Sequence, residues 1–277
     1  MRFEKWTALG NDYIIVERDR LPWELTAEQI RRLCDRHFGV GSDGILLLSP
    51  AGDAAHVAEL RIFNPDGSEA ELSGNGAREA ALYLRRAGWT DADTFTIITK
   101  AGEVKPTITG PDEVAMAIGR ASLTSPDYPD GPDDGNGTIE AGGHELRFQH
   151  VHVGNPQCVI DVGADVETLD LEAIGPAIES SELFPNRTNV SFISIEGSAV
   201  RARIFERGVG ETLSSGTGAS GAAVAAHLRG AASPITVRLD GGELRVDVSA
   251  ELDVTLTGTA EPVYAGELSA GLLRALE

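Results

Sequence analysis

Two short strings in this chain could do chemistry: Ser73-Gly74-Asn75-Gly76-Ala77 and Ser215-Gly216-Thr217-Gly218-Ala219. Each has the form S-G-x-G-A and lies between a strand-like run and a small-residue helix. Glycine lets a backbone approach a ligand closely, and the first turn of a helix carries unpaired N–H groups that attract an anion. Two such turns facing each other could hold a carboxylate and place a serine on each side of it. Glycine also marks tight turns for steric reasons alone; the duplication is what favours the functional reading.

The strings belong to a longer repeat. Residues 61–81 and 203–223 align without a gap at an offset of 142, identical at Arg61/Arg203, Ile62/Ile204, Phe63/Phe205, Glu69/Glu211, Ser73/Ser215, Gly74/Gly216, Gly76/Gly218, Ala77/Ala219, Ala80/Ala222 and Ala81/Ala223. Gly10-Asn11 returns as Gly154-Asn155 at an offset of 144. An offset near half the chain means two similar halves and not a solenoid, whose repeats run roughly 20–50 residues. Two pseudo-symmetric domains with a cleft between them are expected.

The elements that must position these turns read as mixed α/β. Thr26 and Gln29 make a capping box, Ile30, Leu33 and Cys34 give helical spacing, and Gly39 is expected to close that helix. Strand patterns follow at Ile45–Leu48 and Ala58–Phe63, then a helix from the Ser73 turn to Gly88, then strands at Thr94–Thr99, Val104–Ile108 and Val114–Ile118. Residues 119–143, rich in Gly, Pro and Asp, read as a domain boundary or an excursion near one. The second half repeats the plan: strands near Leu146–Val153, Val190–Ile195 and Ala202–Phe205, a helix from the Ser215 turn to Leu228, and strands Ile235–Leu239, Leu244–Val248 and Val254–Leu256. A helical tail spans 268–276. The expected domains are 1–118 plus 263–277, and 119–262.

Composition narrows the function. The 277 residues suffice for two domains, each with its own core. A formal charge of −20 argues against nucleic acid, which needs clustered cations. An anionic substrate must therefore be held by local dipoles and particular arginines. No run approaches the ~18 apolar residues of a membrane helix, and the opening MRFEKWTALG has no signal-peptide core, so a cytoplasmic enzyme is expected. Cys34 and Cys158 suggest no disulfide framework. His150 and His152 can share one strand face, but no third ligand is near, so no metal is expected.

Several strings together resemble the diaminopimelate epimerase family: L-G-N-D-Y (9–13), D-R-H-F-G-V-G-S-D-G (35–44), R-I-F-N-P-D-G-S-E (61–69), S-G-N-G-A-R (73–78), G-N-P-Q-C-V (154–159), R-T-N-V (187–190), E-R-G-V-G-E-T (206–212) and S-G-T-G-A (215–219). The resemblance implies an α/β (α+β) fold of two pseudo-symmetric domains, each a curled sheet around a central helix, with the substrate in the cleft between them. It implies cofactor-independent inversion at the α-carbon of an amino acid, LL- to meso-diaminopimelate, with one group removing the α-proton and another delivering a proton to the opposite face. Both groups are cysteines in the family, at the positions of Ser73 and Ser215. Their partners correspond to Gln157, where the family usually has His, and Glu206. Substrate-holding positions match at Asn11, Asn64, Gly74, Asn75, Asn155, Asn189, Glu206, Arg207, Gly216 and Thr217. The resemblance also implies a homodimer, a small-molecule amino-acid substrate, and neither nucleic-acid nor membrane partners.

The departures bear on mechanism. A thiol titrates near ~8.5 and can be lowered at a helix N-terminus, whereas an alcohol is a far weaker acid. A serine works when a base activates it; Gln157 cannot be that base, and Glu206 can. Three readings follow: an epimerase using serines, a same-fold isomerase or dehydratase of another small acid with Glu206 as the main base, and a natural or engineered Cys-to-Ser form that binds without turnover.

Other residues carry plainer expectations. Glu69 and Glu71 read as solvated. Cys34 and Cys158 read as buried core. Arg78, Arg85 and Arg86 fit an exposed helix face, and His37 fits the C-terminal end of its helix.

Overall fold

The computed structural model describes residues 1–276 and divides into two units, Met1–Met116 with the segment from Gly258 onward, and Ala117–Thr257. Both divisions fall inside strands, Glu113–Arg120 and Asp253–Thr259. The Gly/Pro/Asp-rich run is an irregular stretch followed by a strand, Asn136–Ala141.

In the first unit one sheet runs in the order Glu261–Glu267, Arg2–Ala8, Asn11–Glu17, Gly44–Pro50, Ala58–Phe63, Ile97–Thr99, Gly102–Val104. Helix α1 (Ala27–Cys34) begins with the expected capping box: Thr26 Oγ1 accepts from Gln29 N–H at 3.3 Å, and Gln29 Oε1 accepts from Thr26 N–H at 2.8 Å. It ends at Cys34, ahead of Gly39, because the N–H groups of Val40, Gly41 and Ser42 fold back onto the Leu33 and Cys34 carbonyls. His37 therefore lies outside the helix, in a turn whose N–H groups donate to Asp35. The apolar face of α1 packs with Phe3, Ile14, Ile45 and Leu47, and with Leu276 of the C-terminal helix Ala270–Leu276.

Helix α2 (Gly74–Arg86) is buried from Asn75 through Leu84. It packs on the strands Arg2–Ala8, Asn11–Glu17 and Gly44–Pro50. Arg78 is fully buried, contrary to the exposed position expected for it: a helix enclosed by its sheet has no outer face at this point. Burial lowers the Arg78 guanidinium to about 10. Burial also pushes the Glu79 carboxyl well above the usual carboxylate range, and among the described residues neither of its oxygens has a hydrogen-bond partner.

The second unit holds the strands Asn136–Ala141, His144–His152, Pro156–Asp161, Asn189–Glu196, Ala199–Glu206, Ile235–Leu239, Gly242–Val248 and Asp253–Thr259, neighbours in that order. Helix α3 (Leu171–Glu179) was not legible in the sequence, since Gly175 and Pro176 interrupt its pattern. Gly175 is required there: a Cβ would lie 2.6 Å from the Phe205 ring. Helix α4 (Gly216–Leu228) is buried at every residue from Gly218 to Ala226. Its glycines and alanines let strands from His144–His152 to Gly242–Val248 close around it, as a helix apolar on all sides requires.

The internal repeat folds twice into the same unit. A strand (Ala58–Phe63 or Ala199–Glu206) turns into a short antiparallel strand (Glu69–Ala70 or Gly210–Thr212) and then into a helix of 13 residues. Arg61 grips both carboxylate oxygens of Glu69 at 3.0 Å, and Arg203 Nε donates to Glu211 at 2.8 Å. Glu69 is half-buried for that reason and not solvated as expected; Glu71 is exposed. Among the described residues no helix is long and apolar enough to cross a membrane.

Candidate active site

Ser215 is the N-cap of α4. Its backbone is extended (φ −141°, ψ 120°), so the chain enters the helix with the side chain folded back over the first turn. Its Oγ accepts from Gly218 N–H at 3.2 Å and donates to Glu206 Oε2 at 3.2 Å. Glu206 ends the preceding strand, and its Oε1 accepts from Thr212 Oγ1 at 2.8 Å. Burial raises the Glu206 carboxyl, and the hydrogen bonds from Thr212 and Ser215 offset part of that rise. The result is a hydroxyl at a helix N-terminus joined to a basic carboxylate.

Ser73 caps α2 with the same geometry (φ −130°, ψ 121°), its Oγ accepting from Gly76 N–H at 3.0 Å. Its second partner differs in kind: the Tyr13 phenol donates to it at 3.2 Å. Asn64, which follows Phe63 as Glu206 follows Phe205, bonds to Ser68 at 2.9 Å instead of reaching the serine.

The amides are fixed by their own networks. Asn11 Nδ2 donates to Asp43 at 3.0 Å, and Asn75 Nδ2 donates to Asn11 Oδ1 at 3.2 Å. Arg78 holds the Asn75 carbonyl at 2.6 Å from below. Asp43 and Asp12 share Arg36, at 2.8 Å from each, and Asp12 also pairs with Lys5. Burial works against the Asp12 carboxylate, yet hydrogen bonds from Arg36 and Lys5 hold it below its ordinary range. In the second unit Asn189 accepts from Arg207 N–H at 2.9 Å and donates to the Pro156 carbonyl at 3.1 Å. Arg207 in turn donates to the Asn186 carbonyl at 2.9 Å. The buried Glu179 carboxylate accepts Gly208 N–H at 2.6 Å and pairs with Arg187, which sits at φ 62°. A non-glycine residue in that left-handed conformation is strained, and the ion pair holds it there. Gly216 and Thr217 form the first turn of α4, as Gly74 and Asn75 do in α2.

Gln157 is completely buried. Its Nε2 donates to Asn155 Oδ1 at 2.6 Å, and its Oε1 has no partner among the described residues. It lies against α4 so closely that a Cβ on Gly221 would meet its Cγ at 2.8 Å. Of the sequence-derived set, the structure joins Asn11 with Asn75, Asn155 with Gln157, Asn189 with Arg207, and Glu206 with Ser215. Tyr13, Thr212 and Glu179 were missed. Tyr13 had a signal: Asn11 matches Asn155 at an offset of 144, which carries Tyr13 onto Gln157.

Cys158 is wholly buried and its thiol is pushed far up; Cys34 is buried beside Ser42. His150 meets Ser125 Oγ at 2.9 Å and stacks near Phe184, burial lowering its imidazole to about 4. Among the described residues no group of three or more His, Cys, Asp or Glu side chains is placed to share a metal ion.

The family description "Diaminopimelate epimerase" matches residues 3–124 and 149–263, spanning both capped turns and their cradles. The chain belongs to the diaminopimelate epimerase family. It is 40% identical over 275 residues to diaminopimelate epimerase 2 of a Nostoc species, covering 97% of this chain and 96% of that one. It is 39% identical over 278 residues to a diaminopimelate epimerase of a Synechococcus species, covering 96% and 97%. Among solved structures, a phenazine biosynthesis protein of Bacillus anthracis superposes with a TM-score of 0.67 at 20% identity, over 97% of this chain and 99% of that one. A hydroxyproline epimerase of Agrobacterium vitis gives 0.65 at 18%, over 96% and 91%. At these identities the structures establish that this chain shares their fold.

Proposed function

We propose that this chain interconverts LL- and meso-diaminopimelate without a cofactor, removing the α-proton from one face and returning a proton to the other. The observation that carries the reading is the Ser215–Glu206 pair. A free serine alkoxide is too costly at neutral pH. With Glu206 already accepting its hydrogen, Ser215 can take the substrate proton as it passes its own to the carboxylate, so no free alkoxide has to accumulate. The helix N-terminus adds a positive field at the same oxygen. Asn11, Asn64, Asn75, Asn155, Asn189, Arg207 and Thr217, with the backbones of Gly74 and Gly216, hold the carboxylate and ammonium groups.

A second reading, an amino-acid binder without turnover, is favoured by one observation: serine stands at both positions where the family carries cysteine. Nuclear magnetic resonance in D₂O separates the two. Loss of the α-hydrogen signal of LL-diaminopimelate with appearance of the meso isomer supports the epimerase. Binding with no exchange, together with exchange regained on Ser73→Cys/Ser215→Cys, supports the binder. No binding and no exchange in either form rules out diaminopimelate as the ligand.

A further inference from the structure

The two serines are hydrogen-bonded in opposite senses. Ser73 Oγ receives two donors, Gly76 N–H at 3.0 Å and the Tyr13 phenol at 3.2 Å. A hydroxyl has two lone pairs and one hydrogen, so its acceptor capacity is filled and its own hydrogen is directed elsewhere. Among the described residues Ser215 Oγ receives a single donor, Gly218 N–H, and gives its hydrogen to Glu206. One lone pair therefore stays open. An oxygen that collects two donors has its anion stabilised and is the stronger acid; one that donates to a carboxylate is the stronger base.

Tyr13 reaches Ser73 because of a glycine. In the parallel pairing of their strands Tyr13 lies opposite Gly44, and a Cβ there would stand 2.6 Å from the Tyr13 ring. The ring is 6% exposed. Burial is the main cause that pushes the phenol up to about 12, and the nearby Glu79 adds to it, so Tyr13 stays protonated and can donate. At the equivalent place in the second unit the polar group is the Gln157 amide, which bonds to Asn155 instead.

Resting on the epimerase reading, we propose that Tyr13 is a positioning residue that sets Ser73 as the proton donor, while Glu206 sets Ser215 as the proton acceptor. In the resting protein the acid and the base are thus assigned before substrate binds. In the forward step the Ser215 O–H bond breaks toward Glu206 as Ser215 takes the α-proton, and the C–H electron pair stays on the α-carbon. That pair then takes the hydrogen of Ser73, whose oxygen takes the proton of Tyr13. The products of the step are a protonated Glu206 carboxyl and a Tyr13 phenolate. The reverse isomerisation consumes that state directly, and the forward one restores the resting state by proton exchange with water.

The test needs no substrate. Ser73→Cys and Ser215→Cys each introduce one thiol, and thiolate absorbance is followed against pH with and without Tyr13→Phe. Both native thiols are buried and shifted upward, so they stay out of the window. The Ser73→Cys thiol is expected to titrate at least about one pH unit below the Ser215→Cys thiol. Tyr13→Phe should raise the former and leave the latter in place. Equal titrations, or a Ser73→Cys thiol indifferent to Tyr13→Phe, overturn the proposal. If Tyr13→Phe does not fold, the comparison of the two thiols decides alone. In the otherwise unchanged chain, Tyr13→Phe should lower kcat about 10- to 100-fold with KM within about twofold. An unchanged kcat overturns Tyr13's part. A clear thiol difference in a chain that exchanges no diaminopimelate upholds the opposed serines and rejects the epimerase reading.

Discussion

Glu206 accepts the Ser215 hydroxyl at 3.2 Å through one carboxylate oxygen, while Thr212 occupies the other at 2.8 Å. The carboxylate is therefore aimed at the serine and held in one orientation, which a base acting through another group requires.

Activity should fall on acidification earlier than an ordinary glutamate would cause. Burial raises the Glu206 carboxyl, and the base works only when ionised, so the acid limb of kcat/KM lies above the usual ~4.3 of a glutamate. Glu206→Gln should lower kcat by about 10²- to 10³-fold and abolish that limb in any residual rate. A pH–rate profile of both proteins checks this.

Capping and chemistry can be separated at Ser73. Aspartate caps a helix as well as serine does, whereas alanine costs about 1 kcal/mol. Ser73→Ala should lower stability in urea unfolding by that amount, and Ser73→Asp should keep it. Both should lose LL-to-meso inversion, because Ser73 supplies the returning proton, while exchange without inversion through Ser215 and Glu206 should remain.

Glu79 gives stability a pH slope. Its folded value is raised by burial, so its favourable contribution is complete below the unfolded value near ~4.3 and is lost as pH rises toward the folded value. Glu79→Gln removes the ionisable group and keeps the shape. It should be more stable than the parent at pH 8 by on the order of 1 kcal/mol or more, with little difference at pH 4. Urea midpoints at the two pH values measure the effect.

Gly221 is the point where α4 and Gln157 touch. Gly221→Ala would place a Cβ 2.8 Å from Gln157 Cγ. The crowding should cost roughly 1–3 kcal/mol and displace Asn155 through its bond to Gln157. Weaker substrate binding alongside a lower unfolding midpoint is the expected outcome; binding unchanged to within about twofold would contradict the Asn155 link.

Much of this was written in the chain. The strand Ala58–Phe63, the capping box of α1, and both capped helices follow from periodicity and local side-chain chemistry, and the repeat located both serines. The failures have physical causes. Arg78 looked solvated because helical position does not reveal that a sheet closes over that face. The strand Pro156–Asp161 is absent from the sequence reading, because burial of all but its last residue leaves no alternation to detect. Tyr13 was overlooked because its effect runs through one hydrogen bond to a residue 60 positions away.

The paired grips of Arg61 on Glu69 and Arg203 on Glu211 have an evolutionary consequence. They recur in both halves of the chain, along with a serine-capped helix. Two identical chains associating as a dimer must carry every mutation twice, and so must offer both faces of a bound molecule the same groups. Joining the copies in one chain lifts that restriction. Tyrosine at 13 against glutamine at 157, and asparagine at 64 against glutamate at 206, are differences that two identical chains could not carry.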